Sequence, residues 1–212
     1  MQTEIRAGHL AFERRHPDHL VMDQVVKILG GEGGNRLQQV LRTQKALTYG
    51  ASADLDAYKL AGAVIAETDT RTEGTTEAAW TVVDEFFRLQ RERVYEGELE
   101  GAQDFLAGSF PLSIEAPDAI ATRVLNQLFY GLPLEDLPAY PERVRSVTAD
   151  DVQRVAKAWL KPTQLSLVLV GDADRFLKDL AGAGFTNVER IPIDDLDLTA
   201  ADLRRSSRGP QH

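Results

Sequence analysis

The residues best equipped for chemistry in this chain fall in three short stretches. LRTQKALTYG, residues 41–50, holds a cation, Arg42, and a phenol, Tyr49, seven positions apart. Arginine offers a permanently charged planar fork of donors and tyrosine one directional O–H. Both suit a carbonyl oxygen or a developing oxyanion, and neither suits a metal. On residue type alone the better reading is structural, Arg42 as a solvated cation at a helix end and Tyr49 as a strand aromatic packed on a neighbour. HPDH places His16 and His19 three apart beside Asp18, a spacing that could present two metal ligands on one helical turn. His9 belongs to another element and His212 to the far end of the chain, so a third ligand is not evident and surface histidines near a helix start are expected. Gly30, Gly31, Gly33 and Gly34 suggest a phosphate loop. Such a loop needs a preceding strand and a Gly-Lys-Ser/Thr ending, whereas this cluster follows a helical pattern and runs into Asn35-Arg36, so a helix cap and turn is expected.

Other chemistries are excluded by what the chain lacks. Neither H-E-x-x-H nor H-x-x-E-H occurs, and no G-x-S-x-G elbow supports a Ser-His-Asp site. With no cysteine there is neither a disulfide nor a thiolate zinc site, which fits a reducing compartment and favours a cytoplasmic setting, export of a longer precursor being left open. The net charge of −9, without a basic block, argues against nucleic acid. No apolar run reaches the length of about 18 residues that a membrane span requires.

The elements that must position these residues follow from periodicity. TEIRAGHLAF reads as a strand directly after the start. Val21, Val25, Ile28 and Leu29 recur at helical spacing until Gly30 and Gly31, and Leu37, Val40, Leu41 and Gln44 give a second short helix. From Thr48 the pattern changes to TYGASADLD and YKLAGAVIAET, two antiparallel strands with a tight turn expected near Asp56 and Ala57. Helices follow on Ala79, Val82, Val83 and Phe86, on Leu99, Ala102 and Leu106, and on Ala121, Leu125, Leu128 and Phe129. A last helix is capped by Thr148, with Asp151 three residues on, and carries Val152, Val155, Ala156 and Trp159. QLSLVLVGD is the clearest strand. The order β-αα-ββ-αααα-β predicts an α+β fold, a mainly antiparallel sheet with helices packed on one face. Residues 1–193 are expected to form one domain, and residues 194–212, which lose periodicity, a mobile tail.

The context of Arg42 and Tyr49 resembles the C-terminal domain of the insulinase/pitrilysin-like peptidase superfamily, which includes the mitochondrial processing peptidases. The family pattern has a helix ending in Leu-Gly-Gly, a Ser-Arg-Leu helix start and then Leu-Arg-x-x-x-Gly-Leu-x-Tyr. Here it appears as Leu29-Gly30-Gly31, Asn35-Arg36-Leu37, and Leu41-Arg42 through Leu47-Thr48-Tyr49. HPDHL, YEGELEGAQDFLAGSF, VTADDVQRVAKAWLKP and LSLVLVGD extend the likeness over residues 3–172. Two positions depart from the pattern. Ala46 replaces a glycine, which makes a positive-φ turn harder to adopt, and Asn35 replaces a serine but remains a competent N-cap.

The resemblance implies a two-layer processing-peptidase-like domain that is half of a longer subunit. It implies that Arg42 and Tyr49 contact substrate and oxyanion, completing an active site whose zinc motif lies in a partner domain or subunit. No metal and no cofactor is then expected on this chain, and catalysis is not expected from it alone. The implied partners are that zinc-bearing domain and a peptide substrate, with self-association through the face the partner would cover. The alternative is a non-catalytic structural member of the kind built into respiratory core subunits. A small-molecule or nucleotide binder using the glycine-rich turn is much weaker.

Overall fold

The structure, a computed structural model, describes residues 1–31 and 34–205. Strand β1 (Gln2–Ala11) leads into helix α1 (His19–Gly30), a π-helical segment (Gln38–Gln44), and the hairpin of β2 (Ala51–Ala57) and β3 (Gly62–Arg71). Helices α2 (Thr75–Arg91), α3 (Glu96–Ser109), α4 (Pro117–Tyr130), α5 (Asp136–Arg145) and α6 (Ala149–Trp159) follow, then β4 (Ser166–Val170) and α7 (Ala173–Gly182). The sheet is antiparallel throughout, in the order β2-β3-β1-β4. The expected α+β architecture is therefore present.

Alternation in the strands decides which face meets the helices. Ile5 and Ala7 on β1, Ala53 on β2, and Val64 and Ala66 on β3 are buried, while Arg6 and Glu67 pair on the opposite, more open face. The buried face meets Met22, Val25 and Leu29 of α1, Ala79, Val82 and Phe86 of α2, and Val152, Val155 and Ala156 of α6. Each fully buried large aliphatic or aromatic side chain contributes about 1.5–3 kcal/mol relative to exposure. β1 lies inside the sheet because it pairs with both β3 and β4, which leaves the short β4 at an edge. Thr148 caps α6 as expected, accepting the Asp151 N–H while the Asp151 carboxylate takes the Thr148 N–H.

The structure departs from the sequence reading at four places. The hairpin turn is Tyr58–Ala61, closed by Tyr58 N–H donating to the Ala61 carbonyl, and β2 runs on through Asp56 and Ala57. α5 escapes the pattern because Pro138 and Pro141 lie within it. Its C-terminal end is held instead by buried amides: Gln24 and Gln103 both donate to the Val144 carbonyl. α7 was also not anticipated. α4 forms where expected and ends at Gly131, whose φ of 64° suits the left-handed cap, but Leu125, Leu128 and Phe129 point outward and are exposed. After α7 the described chain makes a short turn at Ile193–Asp195 and a bridge between Leu196 and Arg204. Gly33 and His212 lie outside the described residues.

Candidate functional site

The segment bearing Arg42 and Tyr49 is built from α1 onward. α1 ends pressed against β2. A Cβ on Gly30 would lie 2.3 Å from the Ala53 nitrogen, so only glycine allows this approach. Gly31 caps the helix with φ −71°, an ordinary conformation, and its Cβ would strike Lys27. The glycine pair thus reflects crowding between helix and strand rather than a left-handed turn or a phosphate cradle. Asn35 then caps the next helical turn, its Oδ1 accepting the Gln38 N–H at 2.8 Å while its amide donates to the Gly31 carbonyl. Arg36, nearly fully buried, forms a two-point pair with Glu98 at 2.7 and 2.9 Å, fastening this turn to α3.

Leu37 and Leu41 are fully buried, which turns the opposite side of the segment, with Arg42, to solvent. The segment closes with a wide π-type hydrogen bond, Lys45 N–H to the Val40 carbonyl, and a wider turn-closing one, Leu47 N–H to the Leu41 carbonyl. Helical widening of this kind is uncommon and recurs at functional sites. Ala46 adopts φ 50°, so the alanine does take the left-handed turn that the resemblance assigns to glycine. That conformation costs a non-glycine residue about 1–2 kcal/mol.

Beyond the turn the backbone is tied to β3. Thr70 Oγ1 donates to the Leu47 carbonyl at 2.7 Å, Thr68 Oγ1 donates to the Gly50 carbonyl at 3.0 Å, and Thr48 Oγ1 accepts the Gly50 N–H. Tyr49 projects from between these anchors with 85% of its surface exposed. It precedes β2 by two residues and does not pack as a strand aromatic. Among the described residues neither Arg42 nor Tyr49 has a side-chain hydrogen bond or ion pair. Because Leu41 and Leu47 are hydrogen-bonded, Arg42 and Tyr49 flank one tight reversal of the chain.

The HPDH stretch has a different fate. Asp18 accepts the Trp159 indole N–H at 3.0 Å and pairs with Arg154 at 2.9 Å, linking the start of α1 to α6. Burial opposes its ionisation, but those two partners outweigh it and hold its carboxyl below the usual range. His16 stacks on Phe12 with centroids 4.2 Å apart and meets the edge of Trp159. The Arg14 guanidinium lies 2.6 Å from His19 Nδ1. Burial first and the Arg14 charge second push the His19 imidazole down to about 3, so it is neutral. The histidines are thus half-buried and committed to neighbours rather than free at the surface. His9 is buried too: Nδ1 faces the Leu10 carbonyl at 3.0 Å and Nε2 accepts the Lys161 N–H. These side chains do not fit a zinc ion, and among the described residues no group of three His, Asp or Glu could hold one. Nor is any helix among them long and apolar enough to cross a membrane.

Two features were not found from sequence. One is the Arg36–Glu98 pair with the neighbouring buried Glu85, whose carboxyl is pushed up by burial against the pull of Arg88. The other is a cleft of about 510 Å³ lined by α1, α4 and α5. Four of its arginines were visible as residues, but they come from separate elements and share no spacing.

Known proteins share the sequence pattern and the fold. The family model for the peptidase M16 inactive domain matches residues 5–106. A solved peptidase M16 inactive domain from Pseudomonas fluorescens is 27% identical, with a TM-score of 0.74, over 79% of this chain and 40% of that one. A curated Helicobacter pylori protein, the non-peptidase homolog YmxG, is 23% identical over 145 residues, 68% of this chain and 34% of that protein. A chain of complex III from Candida albicans shares the fold at 11% identity, with a TM-score of 0.70 over 86% of this chain and 46% of that one. The chain thus spans less than half the length of these relatives. These matches bear out the insulinase/pitrilysin-like resemblance: residues 5–106 are similar to the peptidase M16 inactive domain.

Proposed function

We propose that this domain is the substrate-clamping half of a zinc-dependent peptidase, inactive alone and completed by a zinc-bearing partner domain or subunit. The observation that carries this reading is the exposed presentation of Arg42 and Tyr49, without side-chain partners among the described residues, on a segment whose backbone is otherwise tied down. A flexible loop would lose ordering entropy each time it gripped substrate; this one is ordered in advance. Arg42 would donate its fork to substrate carbonyl oxygens, and Tyr49 one O–H to the oxygen that gains charge as the peptide bond is attacked. No step is assigned to a metal on this chain.

A second, non-catalytic reading is favoured by one finding, the curated relative described as a non-peptidase homolog. The two are separated by assembling the chain with a zinc-bearing partner and measuring peptide hydrolysis for the Tyr49→Phe and Arg42→Lys forms. A loss in kcat/KM at unchanged thermal stability supports the clamp. Full activity in the doubly substituted complex eliminates it and leaves the non-catalytic role.

A further inference from the structure

The cleft between α1, α4 and α5 sits beside Leu55 and Ala57, at the opposite end of β2 from Tyr49. Its volume of about 510 Å³ is that of a small-ligand site. Its charge is unlike the rest of the molecule. The chain carries a net charge of −9, yet Arg14, Arg15, Arg123 and Arg143 converge here against the carboxylates of Asp23 and Asp136.

The cations are unequally satisfied. Arg143 is paired with Asp136. Arg14 and Arg123 face neutral acceptors: the His19 ring for Arg14, and Ser113 Oγ at 2.8 Å for Arg123, which also lies over the Phe110 ring. Arg15 rests over Gly131, at the carbonyl end of α4. Among the described residues none of these three has a carboxylate in ion-pair contact. Arg14 is half-buried, and burial pulls its guanidinium below its ordinary value, with Asp23 opposing. A half-buried cation without a paired anion is costly, and the planar fork of arginine matches carboxylate and phosphate oxygens.

Asp23, on the α1 wall, has no hydrogen bond or ion pair among the described residues, and burial raises its carboxyl above the usual range. It opposes an incoming anion less when protonated. Tyr140 beside it is pushed up to about 12, by burial and then by Asp23, and stays an O–H donor at neutral pH.

We infer that this cleft binds the oxyanion group of a small ligand, a carboxylate or a phosphate, through Arg14 and Arg123. The inference stands whether or not Arg42 and Tyr49 clamp a substrate, because it uses none of their chemistry. It is tested by calorimetric titration of the 212-residue chain with three probes: inorganic phosphate, an N-acetylated tripeptide with a free carboxylate, and the same tripeptide amidated. Saturable binding of phosphate or of the free acid, weakened at least tenfold by Arg123→Gln and weakened by added salt, is the expected result. Arg123 lies on the outward-facing α4, so this variant should keep the helical signal of the parent. Asp23→Asn should bind the anion more tightly by removing the opposing charge. Absence of saturable binding by both anions, equal binding of the amidated peptide, or an Arg123→Gln form that binds like the parent each overturns the inference. Weaker binding by Asp23→Asn does so as well, since removing a negative charge from the cleft cannot weaken its electrostatic hold on an anion.

Discussion

The stretch before α1 and the stretch after the π-helical segment both gather polar and aromatic side chains, but only the first uses them on itself. Asp18 is bound to Trp159 and Arg154, His16 packs against two aromatic rings, and His19 is held against Arg14. Arg42 and Tyr49 are spent on nothing inside the described structure, although the backbone around Tyr49 is tied down by Thr68 and Thr70. The difference teaches how to sort candidate residues in a fold of this kind. Groups whose partners are internal act through stability. Groups presented free on an anchored backbone are available to another molecule.

The comparison is broken most directly at Arg42 and Tyr49. In a complex with a zinc-bearing partner, Tyr49→Phe and Arg42→Lys should each lower kcat/KM by about 10²–10³, the usual cost of losing one oxyanion donor. Melting temperature should stay within a degree or two of the parent, which is the control. Loss of activity that tracks loss of fold would put these two residues with the HPDH stretch.

Asp18→Ala should do the reverse. It removes the indole hydrogen bond and an ion pair, and should destabilise the chain by about 2 kcal/mol in denaturant unfolding, since charge-assisted hydrogen bonds contribute about 1.5–3 kcal/mol each. A variant as stable as the parent would show that this junction is not a structural clasp.

The same clasp predicts an acid-sensitive fold. His19 is neutral in the folded chain down to about 3, whereas its ordinary value is 6.5. As pH falls, the unfolded chain takes up this proton first. The His19 contribution is therefore fully present above 6.5, decreases below it and is exhausted near 3. Between pH 6.5 and 5 the loss should be on the order of 1–2 kcal/mol, at 1.36 kcal/mol per pH unit. Asp18, held low, adds a loss in the same direction as pH drops below its ordinary 3.8. Urea unfolding of the parent and His19→Gln at several pH values checks this; parallel curves would sink it.

The smallest effect sharpens the comparison from the other side. Ala46→Gly should relieve the left-handed strain at φ 50°, offset by greater freedom in the unfolded chain, for a net gain of up to about 1 kcal/mol. If the turn also aims Arg42 and Tyr49, kcat/KM in the complex should change by no more than a few-fold. A destabilised glycine form would show that the turn is not strained.

Much of this molecule was legible because its signals are local. Periodicity found β1, the β2–β3 hairpin and the buried faces of α2, α3 and α6. Thr148 and Asp151 announced a cap, Asn35 another, and the order of the glycines, Arg36, Arg42 and Tyr49 carried the family. Where several signals agree at short range, they point to one fold. Local signals failed where a distant partner decides. α5 survives its prolines because Gln24 and Gln103 reach its end from other helices. Leu125, Leu128 and Phe129 have helical spacing, but spacing fixes which residues share a face, not whether that face is covered.

The sequence by itself determined residue type and interval: a fixed cation and a phenol seven positions apart, no metal-binding triad, glycines at the end of α1. Tertiary structure decided availability. Among the described residues it left Arg42 and Tyr49 without side-chain partners, packed His16 on Phe12 and His19 against Arg14, and brought Arg14 and Arg123, 109 residues apart in the chain, to one cleft. The physical reason is that charge and hydrogen-bonding capacity belong to a residue, whereas desolvation and partnership belong to whatever the fold packs against it.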